Sequence, residues 1–394
     1  MSQPASRSWF EPVGWRTIVA VILFGAFVWR VLDGNGPLDF GVYRAAGMVV
    51  RAGRPLYIKG FGEAWGVWLP FTYPPIAAWL AVPFTWVSLP VGSVLWLSIS
   101  VLTLAIALRS WFANTRVMER LGPLLLLAIA IWLAPVTDTL ILGQVGIVLT
   151  VSCLADARRS RRTGGALIGL WSAIKLTPLI FVPHFVWTRQ WAKAAWVAVV
   201  FVGLTAIGWS LMPDAARTYF TDQMLDTERI GGTSFYANQS LLGTLTRLGL
   251  DRAVWFAVAG MVGVAGLWVA AAWHRAGNAL AAATAVGLTS LLVSPISWQH
   301  HAIWILPALA LLLGMRTRWA DRVAAVCLAI EFLRLPSWAD TWSVDGLVLS
   351  MVHGVFVNAG VICYALLLGT LAWAAPRKER LGLGDEVALV GSGR

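Results

Sequence analysis

Apolar residues run in long blocks separated by short polar or basic segments, and the block lengths set the first expectation. A spanning helix needs roughly 20 mainly apolar residues to cross a ~30 Å hydrocarbon layer. Blocks of about this size fall at Trp15 to Leu32, Val91 to Leu108, Leu121 to Thr139, Lys193 to Leu211, Arg252 to Trp273, Ala279 to Trp298, Ala320 to Leu335 and Leu349 to Trp373. Shorter runs cover Gly143 to Ala155 and His301 to Gly314. No small-residue cleavage site follows the first block, so it is expected to be a permanent helix.

Two stretches break this regularity. Gly164 to Trp187 is about one span long, yet basic residues flank both ends and Thr177-Pro178 divides it, so two half-length helices meeting inside the membrane are expected. Pro74 to Pro90 carries Pro74, Pro75, Pro83 and Pro90, which predicts a re-entrant or strongly kinked pair. The expected fold is therefore all-α and polytopic, with about 12 hydrophobic helices, some of them short or re-entrant. Residues 1–376 form one membrane domain with larger loops at about 33–73 and 212–251, and 377–394 form a polar tail.

Composition agrees, since 58% of the residues are hydrophobic, only 12% are charged and the mean hydropathy is +0.73. Such a chain has lipid as its main solvent. The net charge of +11 would suit a nucleic-acid partner if the cations shared one face, but they gather in short loops. Arg158, Arg159, Arg161 and Arg162 form one knot, Arg189 and Lys193 another, Arg316, Arg318 and Arg322 a third, and Arg377, Lys378 and Arg380 begin the tail. The positive-inside rule puts these groups in the cytoplasm and both larger loops outside, and it replaces nucleic acid by the bilayer as partner. Cys153, Cys327 and Cys363 each lie in an apolar stretch and are read as packing residues.

The candidate chemistry is concentrated in a few places. After the first span, an amphipathic stretch with Val42, Ala46, Val49 and Val50 on one face predicts an interfacial helix holding Asp39 at the membrane surface. A capping role for Asp39 is the alternative. Lys175, between Ile174 and Leu176 at the break of the divided run, places an ammonium inside the bilayer, where charge is functional by default unless it snorkels to the boundary. His300 and His301 fall at the outer end of a span and, being adjacent, point about 100° apart if helical. Gln144, Asn238 and Gln239 supply amides at outer helix ends, suited to hydroxyl-rich ligands or to capping. Glu331 and Arg334 are expected to pair.

Seven of these pieces occur in the order seen in glycosyltransferase family 87. They are Asp39 with Val42-Tyr43, Thr72-Tyr-Pro-Pro75, Gly143-Gln144, Lys175-Leu-Thr-Pro178, Tyr219-Phe-Thr-Asp222, Ser234 through Ser240 with Asn238-Gln-Ser, and Ser294-Pro-Ile-Ser-Trp-Gln-His-His301. The resemblance, covering about Leu38 to Pro307, is to GT-C membrane mannosyltransferases of actinobacteria. It implies transfer of mannose from polyprenyl-phosphate-mannose to a phosphatidylinositol mannoside or larger lipoglycan, with inversion, to form an α-1,2 linkage on the periplasmic face of the plasma membrane. It also implies Asp39 as base, with Asp33 a rival that matches the motif less well. Cations near the membrane are then expected to meet the donor phosphate, His300 and His301 ahead of Lys175, with Tyr43, Tyr73, Gln144, Asn238 and Gln239 as sugar or acceptor ligands. No Asp-x-Asp motif occurs, so no metal or other cofactor is expected. Branching of lipomannan or lipoarabinomannan is the alternative within the enzyme class, and a polytopic transporter the alternative outside it.

Overall fold

The computed structural model of the chain describes residues 14–33, 36–160, 163–224, 226–227, 231–342 and 346–376. The expected tail at 377–394, together with Arg161 and Arg162, lies outside them. In chain order the helices are α1 Trp15–Leu32, α2 Leu38–Arg51, α3 Pro75–Leu80, α4 Leu89–Trp111, α5 Arg116–Ala130, α6 Ala134–Leu142, α7 Gly146–Arg158, α8 Ala166–Ile174, α9 Phe181–Trp187 and α10 Trp191–Leu211. They continue as α11 Pro213–Thr218, α12 Leu241–Arg247, α13 Arg252–Arg275, α14 Ala279–Val293, α15 Ile305–Gly314, α16 Arg318–Phe332, α17 Leu335–Ala339, α18 Leu347–Val357 and α19 Ala359–Ala374.

Four of these, α1, α4, α10 and α13, are long and apolar enough to cross a membrane, and two bent pairs, α5 with α6 (54°) and α18 with α19 (60°), qualify when each is taken as one span. Their outer surfaces are apolar and uncovered: Leu32, Leu102, Val199 and Met261 are all exposed. Lipid is the solvent that such a surface requires. The protein is thus a multi-pass membrane protein.

Local chemistry fixes where these helices begin. Asp251 accepts from the amides of Ala253 and Val254 at the start of α13, and Asn278 accepts from Ala281 at the start of α14. The divided run folds as expected: α8 stops at Lys175, whose backbone is extended, a 3-10 turn over Thr177–Ile180 follows, and α9 leads back. The Pro74 to Pro90 run becomes α3 and a 3-10 turn at Val82–Trp86, each too short to span alone.

Helix α2 forms as predicted, but its apolar face has a different partner. Val42, Ala46 and Val49 are buried with Leu56, Phe61, Val67, Phe71 and Ala78, so the loop after α2 folds back into a small core of its own. Arg44 and Arg51 tie α2 to the following turn through the Val87 carbonyl and Thr85 Oγ1. The amphipathic pattern is therefore satisfied by protein, which fixes α2 more tightly than a lipid surface would.

Candidate active site

One cavity of about 810 Å3 takes lining residues from helix α2 and the loop after it, the α6–α7 junction, the Lys175 break, the segment around Tyr219 and the Ser294–His301 segment. Asp39, Tyr43, Tyr73, Gln144, Lys175, His300 and His301 all line it. The size suits a largely enclosed small ligand or part of a larger one.

Asp39 is the second residue of α2 and makes no capping bond there, which removes the capping alternative. Its Oδ2 instead accepts a hydrogen bond from Gln144 Nε2 at 2.9 Å. The other face of that amide is equally fixed, because Oε1 accepts from the hydroxyls of Tyr43 (2.7 Å) and Tyr73 (3.2 Å). The two hydroxyls lie 2.9 Å apart. With two phenols donating to its oxygen, Gln144 has only one sensible orientation, and its NH2 group must point at the carboxylate. Burial pushes both phenols above their ordinary range, so they stay protonated and keep donating.

Burial also raises the Asp39 carboxyl above the ordinary carboxylate range, opposed by the Gln144 hydrogen bond and the charge of Lys175. A carboxylate raised in this way is a stronger base than an exposed one. Gln144 is in place because α6 ends at Gly143 in the left-handed region (φ 71), with Gly143 N bonded to Leu140 O and Gln144 N to Thr139 O. This is the glycine-dependent helix stop of the Schellman type. A Cβ at Gly143 would lie 2.7 Å from Phe40 Cβ and 3.0 Å from Pro37 Cβ, so the same glycine lets the start of α2 close against Gln144.

In the same cavity, Lys175 Nζ is 2.7 Å from His301 Nε2 and 5.7 Å from the centre of the Tyr73 ring, which joins it to the Asp39 cluster. An ammonium only donates, so His301 accepts at Nε2 and carries its proton on Nδ1. The His300 and His301 rings meet edge to face with centroids 4.6 Å apart, and His300 Nε2 is buried without a hydrogen-bond partner among the described residues. Lys175 therefore shares the side of the cavity that holds the histidines, and it does not snorkel to a boundary.

Asn238 and Gln239 depart from expectation, for both are fully buried and neither lines the cavity. Asn238 donates to the Thr233 and Pro295 carbonyls and accepts from Ser297 N, and Gln239 serves Tyr236 O, Val357 O, Gly360 N and Val361 N. Their amides are consumed by backbone. They pin the 294–298 strand-like segment, bridged at Asn238 and Trp298, that delivers the histidines. Thr139 Oγ1 holds the same segment by donating to the His300 carbonyl at 3.0 Å.

Arg334 also has a different partner from the one expected. Helix α16 ends at Phe332 and Arg334 turns to a positive φ of 51°, which breaks the spacing to Glu331, and its guanidinium meets Asp138 Oδ1 at 2.6 Å. Asp138 lines the cavity and was not singled out from sequence, although a lone carboxylate inside the apolar Leu121 to Thr139 block is the signal that marks it.

Comparison with known proteins accounts for the same arrangement. Residues 71–295 match the family described as Glycosyltransferase family 87. A polyprenol-phosphate-mannose-dependent alpha-(1-2)-phosphatidylinositol mannoside mannosyltransferase of Mycobacterium tuberculosis is 34% identical over 350 residues, covering 82% of this chain and 80% of its own. A protein of the same description from Mycolicibacterium smegmatis is 33% identical over 355 residues, covering 81% and 80%. A polyprenol-phosphate-mannose-dependent alpha-(1-2)-phosphatidylinositol pentamannoside mannosyltransferase of Mycolicibacterium smegmatis is 30% identical over 391 residues, covering 93% and 92%. No solved structure matches the chain. Similarity that runs unbroken from the motifs through the helices carrying them has one explanation: the chain belongs to glycosyltransferase family 87.

Proposed function

We propose that this glycosyltransferase moves mannose from polyprenyl-phosphate-mannose to a phosphatidylinositol mannoside, forming an α-1,2 linkage with inversion on the periplasmic face of the plasma membrane. The whole helical body acts as one catalytic domain. The observation that carries this is a cavity lined both by a carboxylate held by an amide and by a lysine bonded to a histidine. The relatives' descriptions supply the donor and acceptor classes.

The acceptor 2-hydroxyl oxygen attacks the anomeric carbon from the face opposite the phosphate. Its proton passes to the Asp39 carboxylate as the carbon–oxygen bond to phosphate breaks, and the bonding pair leaves on the polyprenyl phosphate. A positioned base of this kind contributes about 10²–10⁴-fold to rate. The leaving phosphate needs charge neutralisation more than a proton, and Lys175 with His301 and His300 supplies donors where that charge develops.

Asp39→Asn keeps the shape and removes the base, so transfer of radiolabelled mannose from a polyprenyl-phosphate donor in membranes should fall by about 10²–10⁴-fold with protein level unchanged. Full activity in this variant would remove the proposed base. Mass analysis of glycolipids after disruption of the gene decides the acceptor. Accumulation of an under-mannosylated phosphatidylinositol mannoside is expected, whereas unbranched lipomannan with the small glycolipids intact would overturn the acceptor assignment.

A further inference from the structure

A second cavity, of about 250 Å3, opens at the other end of the helix bundle. It lies between the C-terminal end of α7, helix α9, the first turn of α10, the turn after α13 and the N-terminal end of α14. Helix α14 links the two cavities: Ala279 at its start lines the small one, and Val293 at its end lines the large one. At a rise of ~1.5 Å per residue, their nearest lining residues on this helix, Ala283 and Ser290, stand about 10 Å apart. The apolar helices α10 and α13 both reach a terminus here, so the cavity sits at a hydrocarbon–water boundary, where phospholipid headgroups lie.

Its walls are rich in donors. Arg158 and Arg159 stand exposed at the rim, while Lys193 and Gln190 (each 4% exposed) and His184 (3%) are buried in the wall. Lys193 Nζ donates to the Ala157 carbonyl at 2.6 Å and lies 5.5 Å from the centre of the Phe185 ring. His274 meets Gln190 Nε2 at 3.5 Å and stands edge-on to His184 at 6.1 Å. His184 Nδ1 is buried without a hydrogen-bond partner among the described residues.

The acid at this corner, Asp156, is held through one oxygen, while its buried Oδ1 has no hydrogen-bond partner among the described residues and faces Arg159. Asp156 Oδ2 accepts from Gly165 N and Ile168 N, and its Oδ1 lies 3.7 Å from Arg159. Arginines that merely mark a membrane boundary need no such cavity, and they leave the unpartnered imidazole nitrogen of His184 beside it unexplained.

We propose that this cavity binds a phosphate group, held by Arg158, Arg159 and Lys193 with His184 contributing a hydrogen bond. Two guanidinium groups suit a tetrahedral anion, and basic recesses between spanning helices hold lipid phosphates in the same way. This site is separate from the one that receives the leaving phosphate.

The test is calorimetric titration of the full chain in neutral detergent with dihexanoyl phosphatidylglycerol, inorganic phosphate and dihexanoyl phosphatidylcholine. Saturable binding of the anionic lipid is expected, weakened about tenfold or more in Arg158→Gln with Arg159→Gln. Lys175→Gln should leave it unchanged, because Lys175 belongs to the other cavity. Competition by inorganic phosphate at equal affinity would identify phosphate alone as the ligand, and absence of competition would identify the lipid headgroup. No saturable binding, equal binding of phosphatidylcholine, or full binding by the double variant would overturn the proposal. Arg158→Gln alone, a change to one exposed side chain, carries the same expected direction if the double variant melts early.

Discussion

A carboxylate that takes a proton from an alcohol must be ionised when the substrate arrives, and Asp39 is held where this is finely balanced. Burial raises its pKa, while the Gln144 amide and the Lys175 charge pull it back. The ionised, active fraction therefore grows as pH climbs through a value above the ordinary carboxylate range, which sets the acid limb of kcat/KM. Gln144→Leu removes a bond that favours the ionised form, so its acid limb should move to higher pH, and activity on the plateau should fall as well because the carboxylate loses its fixed orientation. An unmoved limb in a pH profile of kcat/KM would show that this amide does not tune the base. Lys175 was legible as a charge stranded in apolar sequence, Asp39 as the acid of the first-loop motif and the histidines as polar groups at a span end, but their partners were not. An amide facing a cavity and an amide consumed by backbone look alike in one dimension, so sequence alone puts Asn238 and Gln239 on the same footing as Gln144.

The elements show why position in the chain matters as much as residue type. The short helix α6 ends at Gly143 because only a residue without Cβ takes φ 71° easily and also lets Phe40 and Pro37 approach. Gly143→Ala should lower the thermal stability of the purified protein by about 1–2 kcal/mol, combining backbone strain with crowding. It should also cost more activity than the loss of folded protein explains, since the displaced residue is the neighbour of Gln144. A melting curve and a transfer assay on the same sample separate the two effects, and unimpaired transfer per folded molecule would mean that Gln144 keeps its place by other means. The breaks at Pro178 and the loop prolines were readable because these residues act locally. The bends inside the Leu121 to Thr139 and Leu349 to Trp373 runs, at α5–α6 and α18–α19, were not, nor was the end of α14 at Val293 rather than Trp298. What α2 packs against was not, since its apolar stripe has the same pattern whether lipid or the Phe61–Phe71 core covers it.

At the scale of the whole molecule, the chemistry depends on which compartment each end of the bundle faces, and α13 offers a direct way to ask. Its 24 apolar-rich residues run from Arg252 to Arg275, a length of about 36 Å at ~1.5 Å per residue, so its two ends belong on opposite sides of a bilayer. Ser234, exposed beside the large cavity, precedes it, and Ala276, exposed beside the basic cavity, follows it. The native cysteines, Cys153, Cys327 and Cys363, are all buried and give little background. An impermeant maleimide added to intact cells should label Ser234→Cys readily and Ala276→Cys only after permeabilisation. The opposite pattern would turn the Asp39 cavity toward the cytosol and the arginine knots outward. Such a result would contradict both the charge distribution of the loops and the proposed periplasmic reaction, because the same crossing fixes the two together.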